Sequence, residues 1–430
     1  MFKNLKQLFN KKNKDLRKRI YFTIAVLAIY VIGISIEVPV AGVKEAIQAM
    51  TSSLGFLDLL DIMGGGAFTN FSIFALGVSP YITASIVIQL LQMDIIPYFS
   101  ELSKQGHTGH QKLNQITRYA GIAFGFLQGF AMSYMFIQNG TVLQHLEIAL
   151  ILTAGTAFLL WLGDQVTQKG IGNGISLLIM VGIIHSLPSM IKTAFTSLVV
   201  GTGTELAIGI ASFILFLIIY VLIIVGVIYI EGAERRIPIQ YANKSTANLG
   251  KQTFMPIKIN SAGVIPVIFA SSLLSIFATI AQFVENEGFQ NFVSNYLDYS
   301  KPVGFTLFIV LIFAFAYFYT FVQMKPEQMA KNLQESGGYI PGVRPGDATE
   351  KYITKVLSKL TIFGALFLSI LAGLPILVNI FTKLPSSVQL GGTGLLIVVG
   401  VAIETYKQLD SSLLSREYGE VKSGSRRRRR

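Results

Sequence analysis

The sequence contains no cysteine and few charged residues. Without cysteine the chain can form no disulfide, no thiolate nucleophile and no thiolate metal site. Charged residues make up 13% of its 430 residues, against roughly 25% in an ordinary soluble domain. Hydrophobic residues account for 52%. This balance places most of the chain in lipid and predicts one integrated membrane domain rather than a series of soluble ones.

Several sequence signatures of catalysis are also absent. The chain has no Walker-type phosphate loop, no Ser/His/Asp signature and no zinc-binding signature. His107 and His110 lie three residues apart in a glycine-rich loop, for which a solvated loop is a simpler interpretation than a metal site. We therefore expect no enzyme activity, no nucleotide hydrolysis, no metal site and no cofactor.

Ten apolar segments are candidates for crossing a membrane. A spanning helix needs about 20 mostly apolar residues, and lipid offers no partner to unpaired backbone groups, so the segments are predicted to be helices. The first follows a basic run but precedes no small-residue cleavage site, and we expect it to be retained. The ten predicted spans are residues 20–36, 72–91, 119–136, 143–163, 171–187, 206–230, 262–283, 303–324, 360–377 and 393–409.

The basic residues between these spans are distributed very unevenly. With the N-terminus placed in the cytoplasm, 31 lysines and arginines fall on the cytoplasmic side and 4 on the other. Basic residues concentrate in cytoplasmic connections of membrane proteins. The sequence therefore predicts that both termini are cytoplasmic, with a basic N-terminus (1–19) and a basic tail (410–430). The long connections 231–261 and 325–359 serve either as topological anchors or, given their size, as docking surfaces.

The predicted spans contain almost no ionisable side chains in their interiors. Ion-coupled carriers place such groups inside the membrane because the groups carry the coupling. An ion-coupled secondary solute transporter therefore remains an alternative that lacks its usual coupling residues. Small residues such as Ser72, Ser176 and Ser271 predict close helix packing, and they would also allow a seam between helices to part.

Residues 57–70 (LDLLDIMGGGAFTN) form an unusual short segment before the second span. The segment is too short to cross a bilayer, carries two aspartates and contains three consecutive glycines. A half-inserted segment is tolerated only where it is buried in protein or lines a cavity. The glycines are suited to a small element that moves.

Six ordered sequence blocks, spread over almost the whole chain, carry a resemblance to a known family. They are 70–89 (NFSIFALGVSPYITASIVIQ), 161–176 (WLGDQVTQKGIGNGIS), 234–242 (ERRIPIQYA), 258–272 (KINSAGVIPVIFASS), 337–346 (GGYIPGVRPG) and 391–399 (GGTGLLIVV). In these blocks the chain resembles the SecY family, the pore-forming subunits of bacterial protein-export channels. The resemblance implies an all-α membrane protein of ten transmembrane helices, arranged as two inverted five-helix halves (20–191 and 192–409) around an hourglass pore.

The resemblance also implies a constriction made by six apolar side chains. Ordinary helix packing is the alternative for any one of them. Val78 and Ile82, like Ile175 and Ile179, are four residues apart and so share a helix face. The implied pore ring comprises Val78, Ile82, Ile175, Ile179, Ile268 and Ile397.

In the family, a short plug helix rests on the outer side of the ring, and a lateral gate opens between two pairs of helices. Residues 57–70 take the position of the plug, with Leu57, Leu60, Met63, Gly64, Gly65, Gly66 and Phe68 as its residues. Polar candidates at the lateral gate are Gln89, Gln128 and Ser272.

The resemblance further implies partners that supply the driving force. These are the SecA ATPase or a translating ribosome docked on the cytoplasmic loops, the small membrane subunits SecE and SecG, and signal peptides on unfolded precursors. Arg235, Arg236 and Arg344 are the predicted docking residues, because an arginine side chain can bind a phosphate of ribosomal RNA through two parallel hydrogen bonds. The alternative explanation is that these arginines only set the orientation of the chain in the membrane. The implied location is the bacterial plasma membrane.

Overall fold

Helices dominate the described part of the chain. The structure is a computed structural model that describes residues 14–39, 61, 64–92, 96–137, 140–199, 204–241, 253–283, 286–298, 301–382 and 391–427. The helices are α1 (Lys14–Ile34), α2 (Ser79–Leu91), α3 (Pro97–Lys104), α4 (Gly106–Phe136), α5 (Val142–Lys169), α6 (Gly174–Leu198), α7 (Thr204–Gly232), α8 (Ile265–Phe283), α9 (Glu287–Phe292), α10 (Pro302–Met324), α11 (Pro326–Glu335), α12 (Asp347–Thr382) and α13 (Gly391–Arg427). The strands are β1 (Glu234–Tyr241), β2 (Thr253–Lys258) and β3 (Gly338–Tyr339).

Every predicted span overlaps one of these helices. Among the described residues, five helices are long and apolar enough to cross a membrane: α5, α6, α7, α10 and α12. Helix α2 and the first part of α8 are shorter apolar helices. The helical nature of the spans is thus confirmed, whereas the count of ten crossings stays a prediction.

The predicted start of the second span was wrong. Residues 72–78 form turns, and α2 begins only at Ser79, with Pro80 in its first turn. Phe71 and Gly77 have positive φ angles of 46° and 55°, which no right-handed helix contains. Ser72, predicted to lie within a helix, instead forms an isolated β-bridge with Glu37.

The chain forms two compact units. The first contains α1–α6 and α13, and the second contains α7, most of α8, the strands and α9–α12. In the first unit α4 packs against α2 and α5, while α6 packs against α1, α5 and α13. A Cβ added to Gly121 of α4 would lie 3.1 Å from the Cα of Tyr81. This close approach agrees with packing through small residues. The proposed division into two five-helix halves stays a prediction.

The long connections 231–261 and 325–359, expected to serve as topological anchors or docking surfaces, contain all three described strands. Their strands form a three-stranded sheet of order β2-β1-β3, with β1 antiparallel to both neighbours. One face of the sheet covers α11 and the start of α12. We call the three strands, α11 and the start of α12 together the sheet domain. Its core comprises the buried residues Ile237, Ile239, Ile257, Ala330, Leu333, Ile340, Ile353 and Leu357. The described parts of the two connections therefore form one folded structure with its own hydrophobic core.

Candidate functional site

The first pair of predicted ring residues lies at the start of α2. Val78 is the residue before the helix, and Ile82 donates its backbone N–H to the Val78 carbonyl at 3.1 Å. Both side chains are buried. The turn of Gly77 directs the chain into α2 and thereby fixes the position of both residues.

The second pair lies on the first two turns of α6. Asn173 caps this helix, because its side-chain oxygen accepts the N–H groups of Ile175 and Ser176. Ile179 is buried, and Ile175 is half-buried. A Cβ on Gly163 of α5 would lie 3.0 Å from Cγ1 of Ile175. Ile175 thus packs at least partly against the neighbouring helix α5.

The remaining two ring residues lie in different units. Ile397 is buried in α13, which packs against α6 and so lies beside the helix of Ile179. Ile268 is half-buried in α8 of the second unit. The structure thus places five of the six predicted residues in one unit, and the closed ring of six stays a prediction.

The described part of the predicted plug is fitted closely between α1 and α6. The Tyr30 hydroxyl donates to the Gly64 carbonyl at 3.3 Å. A Cβ on Gly65 would lie 2.9 Å from both the Cα and the carbonyl oxygen of Gly182 in α6. Gly65 and Gly66 have φ angles of +74° and +84°, a region that glycine occupies without strain. Glycine is therefore required here both by conformation and by the approach of two backbones.

A half-buried carboxylate holds the two ends of the same segment together. Asp61 accepts the backbone N–H of Thr69 at 2.8 Å and its hydroxyl at 2.6 Å. Burial raises the pKa of the Asp61 carboxyl, and the hydrogen bonds from Thr69 lower it. Phe68 is fully buried among residues that include Ile148 and Leu152 of α5. The end of the segment is thus built into the core, while Leu57, Leu60 and Met63 lie outside the described residues.

Two of the three predicted gate residues lie on adjacent helices. Gln89 in α2 and Gln128 in α4 are half-buried, and their helices pack against each other. The Gln89 side-chain amide donates to the Ser85 hydroxyl at 3.0 Å. Ser272 is half-buried in α8 of the second unit. A gate formed by all three stays a prediction.

The predicted docking arginines are exposed on the sheet domain. Arg235 and Arg236 are consecutive in β1, so their side chains point to opposite faces of the sheet. Arg235 lies on the same face of β1 as the buried Ile237. Arg236 lies on the opposite, open face, where the Tyr339 hydroxyl donates to the Gln240 side chain. The two arginines therefore cannot act as one flat basic pair.

Arg344 lies on an exposed turn that precedes α12. Gly342 and Gly346 flank it with φ angles of +82° and +97°. The carbonyl of Arg344 accepts the Thr349 hydroxyl at 2.9 Å, which ties the turn to the first turn of the helix. Arg344 thus lies on an exposed turn flanked by two glycines, and its role in docking stays a prediction.

Sequence analysis missed a polar contact at the base of the β1–β2 hairpin. The Asn260 side chain donates to the Glu231 carboxylate at 2.7 Å and to the Gly263 carbonyl at 3.1 Å. Both residues are buried, and the Ile259 N–H donates to the Ala233 carbonyl beside them. This clamp joins the end of α7 to the turn that enters α8. Only the unusual carboxyl at the end of an apolar span could have drawn attention to it.

Fold and site together define a polytopic helical membrane protein with a closely packed glycine-rich segment and a sheet domain. The family model for SecY matches residues 72–406. The SecY protein translocase subunit of Bacillus subtilis is 49% identical over 97% of this chain and 99% of its own length. The corresponding subunit of Staphylococcus aureus is also 49% identical, over 95% of this chain and 96% of its own length. The chain therefore belongs to the SecY family.

Solved structures show the same fold at lower identity. One described as a protein-conducting channel matches with a TM-score of 0.64 at 20% identity, covering 93% of both chains. Sec61 from a canine ribosome–channel complex matches with a TM-score of 0.61 at 20% identity, again covering 93% of both chains. The predicted all-α channel fold and the family resemblance are confirmed. The alternative of an ion-coupled solute transporter is excluded by the family.

Proposed function

We propose that this chain is the pore subunit of a protein-conducting channel. It passes unfolded, signal-bearing polypeptides across the bacterial plasma membrane and releases apolar helices sideways into the bilayer. The observation that carries this proposal is the 49% identity with protein translocase subunits over 97% of the chain. It acts as a conduit rather than as an enzyme.

The buried aliphatic residues on α2, α6 and α13 support a pore that closes by apolar contact. Val78, Ile82, Ile179 and Ile397 carry no polar atom on their side chains and lie in a helix bundle. Hydrophobic constrictions close by losing water when empty, and branched side chains would close around an extended polypeptide in transit. The seat of Gly64–Gly66 between α1 and α6 supports a plug that completes the closed state.

A lateral exit for apolar segments follows from the same physical chemistry. Each fully buried Leu-sized side chain gains about 1.5–3 kcal/mol on leaving water for an apolar environment. A signal helix with several such residues therefore gains enough to part a seam held by a few polar contacts. Gln89 and Gln128, half-buried on adjacent helices, are suited to such contacts.

The driving force comes from partners, since the sequence contains no nucleotide-binding motif. We propose SecA or a translating ribosome as the motor, docked on the sheet domain through Arg236, Arg344 and, from the other face, Arg235. SecE and SecG are the proposed membrane partners. The ribosome-bound state of the structural relative Sec61 supports the ribosome. The distribution of 31 basic residues against 4 supports cytoplasmic termini and a cytoplasmic sheet domain.

Reconstitution tests the function directly. The chain is placed in vesicles with SecE, SecG and SecA, and a signal-bearing precursor is added outside with ATP. We expect ATP-dependent protection of the precursor from protease, and no protection of a precursor that lacks its signal. Absence of protection in vesicles whose subunits are correctly inserted would refute the proposal.

A further inference from the structure

One face of α12 carries three exposed lysines at regular spacing. Lys351, Lys355 and Lys359 follow each other at intervals of four residues, and each is exposed. Residues four apart lie on the same helix face. With a rise of about 1.5 Å per residue, the row is about 12 Å long. We call these three residues the lysine row.

The same face continues into exposed apolar side chains. Phe363, Leu366 and Ile370 are 67%, 50% and 55% exposed. After Lys359 they follow at successive intervals of four, three and four residues, which keeps them on the same helix face. The opposite face, with Ile353, Leu357 and Leu368, is fully buried. Helix α12 therefore presents one continuous exposed stripe, which is basic towards its N-terminus and apolar towards its middle.

The apolar part of this stripe sets the depth of the lysine row. Helix α12 is long and apolar enough to span a membrane, and in a membrane the exposed Phe363 would face acyl chains. The headgroup layer of each leaflet is about 5–8 Å thick. Lys359 and Lys355 lie one and two turns beyond Phe363, about 6 Å and 12 Å along the axis. Lysine side chains lean towards the helix N-terminus, which carries their ammonium groups away from the hydrocarbon and into or just above the headgroups.

The lysine row has little protein charge to neutralise it. Within the part of the chain that the structure describes, no ion pair involves any of the three lysines. Asp347 lies one turn before Lys351 on the same face, while the half-buried Glu350 lies on another. Lys355 and Lys359, next to the membrane, therefore keep the largest uncompensated charge.

We propose that the lysine row binds the headgroups of anionic phospholipids in the leaflet next to the sheet domain. Basic residues beside a membrane attract anionic lipids, and the attraction fades within a Debye length. The continuity of the row with a lipid-facing stripe favours a lipid over an acidic protein surface as its occupant. Lys359 and Lys355 contribute most, and Lys351, farthest from the bilayer, contributes least. This site is independent of the proposed translocation function.

Lipid-selective fluorescence quenching tests this site without a transport assay. The chain has a single tryptophan, so Trp161→Phe combined with Ile362→Trp places one indole on the exposed stripe beside Lys359. The full chain is reconstituted in phosphatidylcholine vesicles containing equal mole fractions of brominated phosphatidylcholine or brominated phosphatidylglycerol. We expect the anionic lipid to quench this indole at least about fivefold more effectively, because each lysine near a charged membrane surface favours anionic lipid by about that factor.

Matched variants distinguish lipid binding by the lysine row from a general effect of basic charge. Lys355→Gln with Lys359→Gln should bring the quenching ratio close to one, and Lys351→Gln should lower it less. Lys331→Gln, which removes an exposed charge from α11, should leave the ratio unchanged. Equal quenching by both lipids with the lysine row intact would overturn the proposal and favour an acidic protein partner. A ratio that persists in the double variant would overturn it as well.

Discussion

Ile397 and Arg344 illustrate, at the scale of single residues, the two environments on which the proposed function depends. Ile397 is buried on α13, which packs against α6. Arg344 is exposed on a turn flanked by two glycines with positive φ angles. We therefore expect a polar substitution at Ile397 to change the balance between the closed and the open channel, and a charge change at Arg344 to affect docking.

Ile397→Asn is expected to weaken the closed state. The buried amide would lack a partner, at a cost of about 1–3 kcal/mol, whereas water would satisfy it in an open pore. A difference of about 1.4 kcal/mol shifts the equilibrium tenfold. The channel should therefore accept a precursor with a defective signal sequence, measured as its transport into vesicles. Ala402→Asn, on an exposed position of the same helix, should still reject it. Equal rejection by both variants would mean that Ile397 is ordinary helix packing.

Arg344→Glu is expected to abolish most motor-dependent transport while leaving the fold intact. Exposed positions contribute within about 0.5 kcal/mol to stability, whereas a charge-assisted hydrogen bond contributes about 1.5–3 kcal/mol. Transport should therefore fall by about tenfold or more. Lys331→Glu makes the same charge change on α11 of the sheet domain and should leave transport near normal. Similar losses in both variants would indicate an effect of net charge rather than docking at Arg344.

At the scale of elements, the Gly64–Gly66 segment is held by a close backbone contact with α6 and by the hydrogen bond from Tyr30. Gly65→Ala would place a Cβ 2.9 Å from the backbone of Gly182 and should displace the segment. We expect the resting channel to leak ions, measured as conductance across a planar bilayer. Gly66→Ala is a matched control, since it has a similar positive φ but its nearest contact would be the Asn70 side chain at 3.9 Å. Identical conductance in Gly65→Ala and the unmodified channel would show that this seat is not part of the seal.

The clamp between Asn260 and Glu231, which joins the end of α7 to the turn that enters α8, is expected to hold the base of the β1–β2 hairpin together. Asn260→Ala leaves a buried carboxylate without this donor, which costs about 1–3 kcal/mol. Hydrogen exchange of the backbone amides in β2 and at Ile259 should accelerate. Ser261→Ala removes only a local bond to the Lys258 carbonyl, and exchange should stay close to that of the unmodified chain. Unchanged exchange in Asn260→Ala would show that the strands alone hold the hairpin.

At the scale of the whole molecule, the helices could be predicted from the sequence. In lipid, a long apolar segment can pair all its backbone N–H and C=O groups only by forming a helix. The late start of α2 was not foreseeable, because it depends on packing: Gly33 contacts Phe74, and Gly155 contacts the Ile73 carbonyl. Contacts distant in sequence, such as Gly65 with Gly182, leave no local pattern.

The sheet domain shows what a local pattern could have revealed. Alternation of buried Ile237 and Ile239 with exposed neighbours in β1 is a strand signal, but Pro238 between them weakens it. The third strand lies about a hundred residues away and contributes only Gly338 and Tyr339, so its pairing could be found only from the fold. The predicted docking arginines were nevertheless on exposed positions, since basic connections identify the surface without revealing its structure.

Disulfide capture of a polypeptide in transit tests most directly whether this chain conducts proteins through its centre. The chain lacks cysteine, so a single Ile179→Cys can be paired with a precursor that carries one cysteine and is arrested in transit by a folded domain at its end. The matched control is Ile184→Cys, on the same helix α6 but 43% exposed where Ile179 is 5% exposed. We predict a disulfide with the arrested precursor from position 179 and almost none from position 184. Capture at 184 but not at 179, or at neither while the precursor is still arrested, would contradict a polypeptide path along the predicted ring.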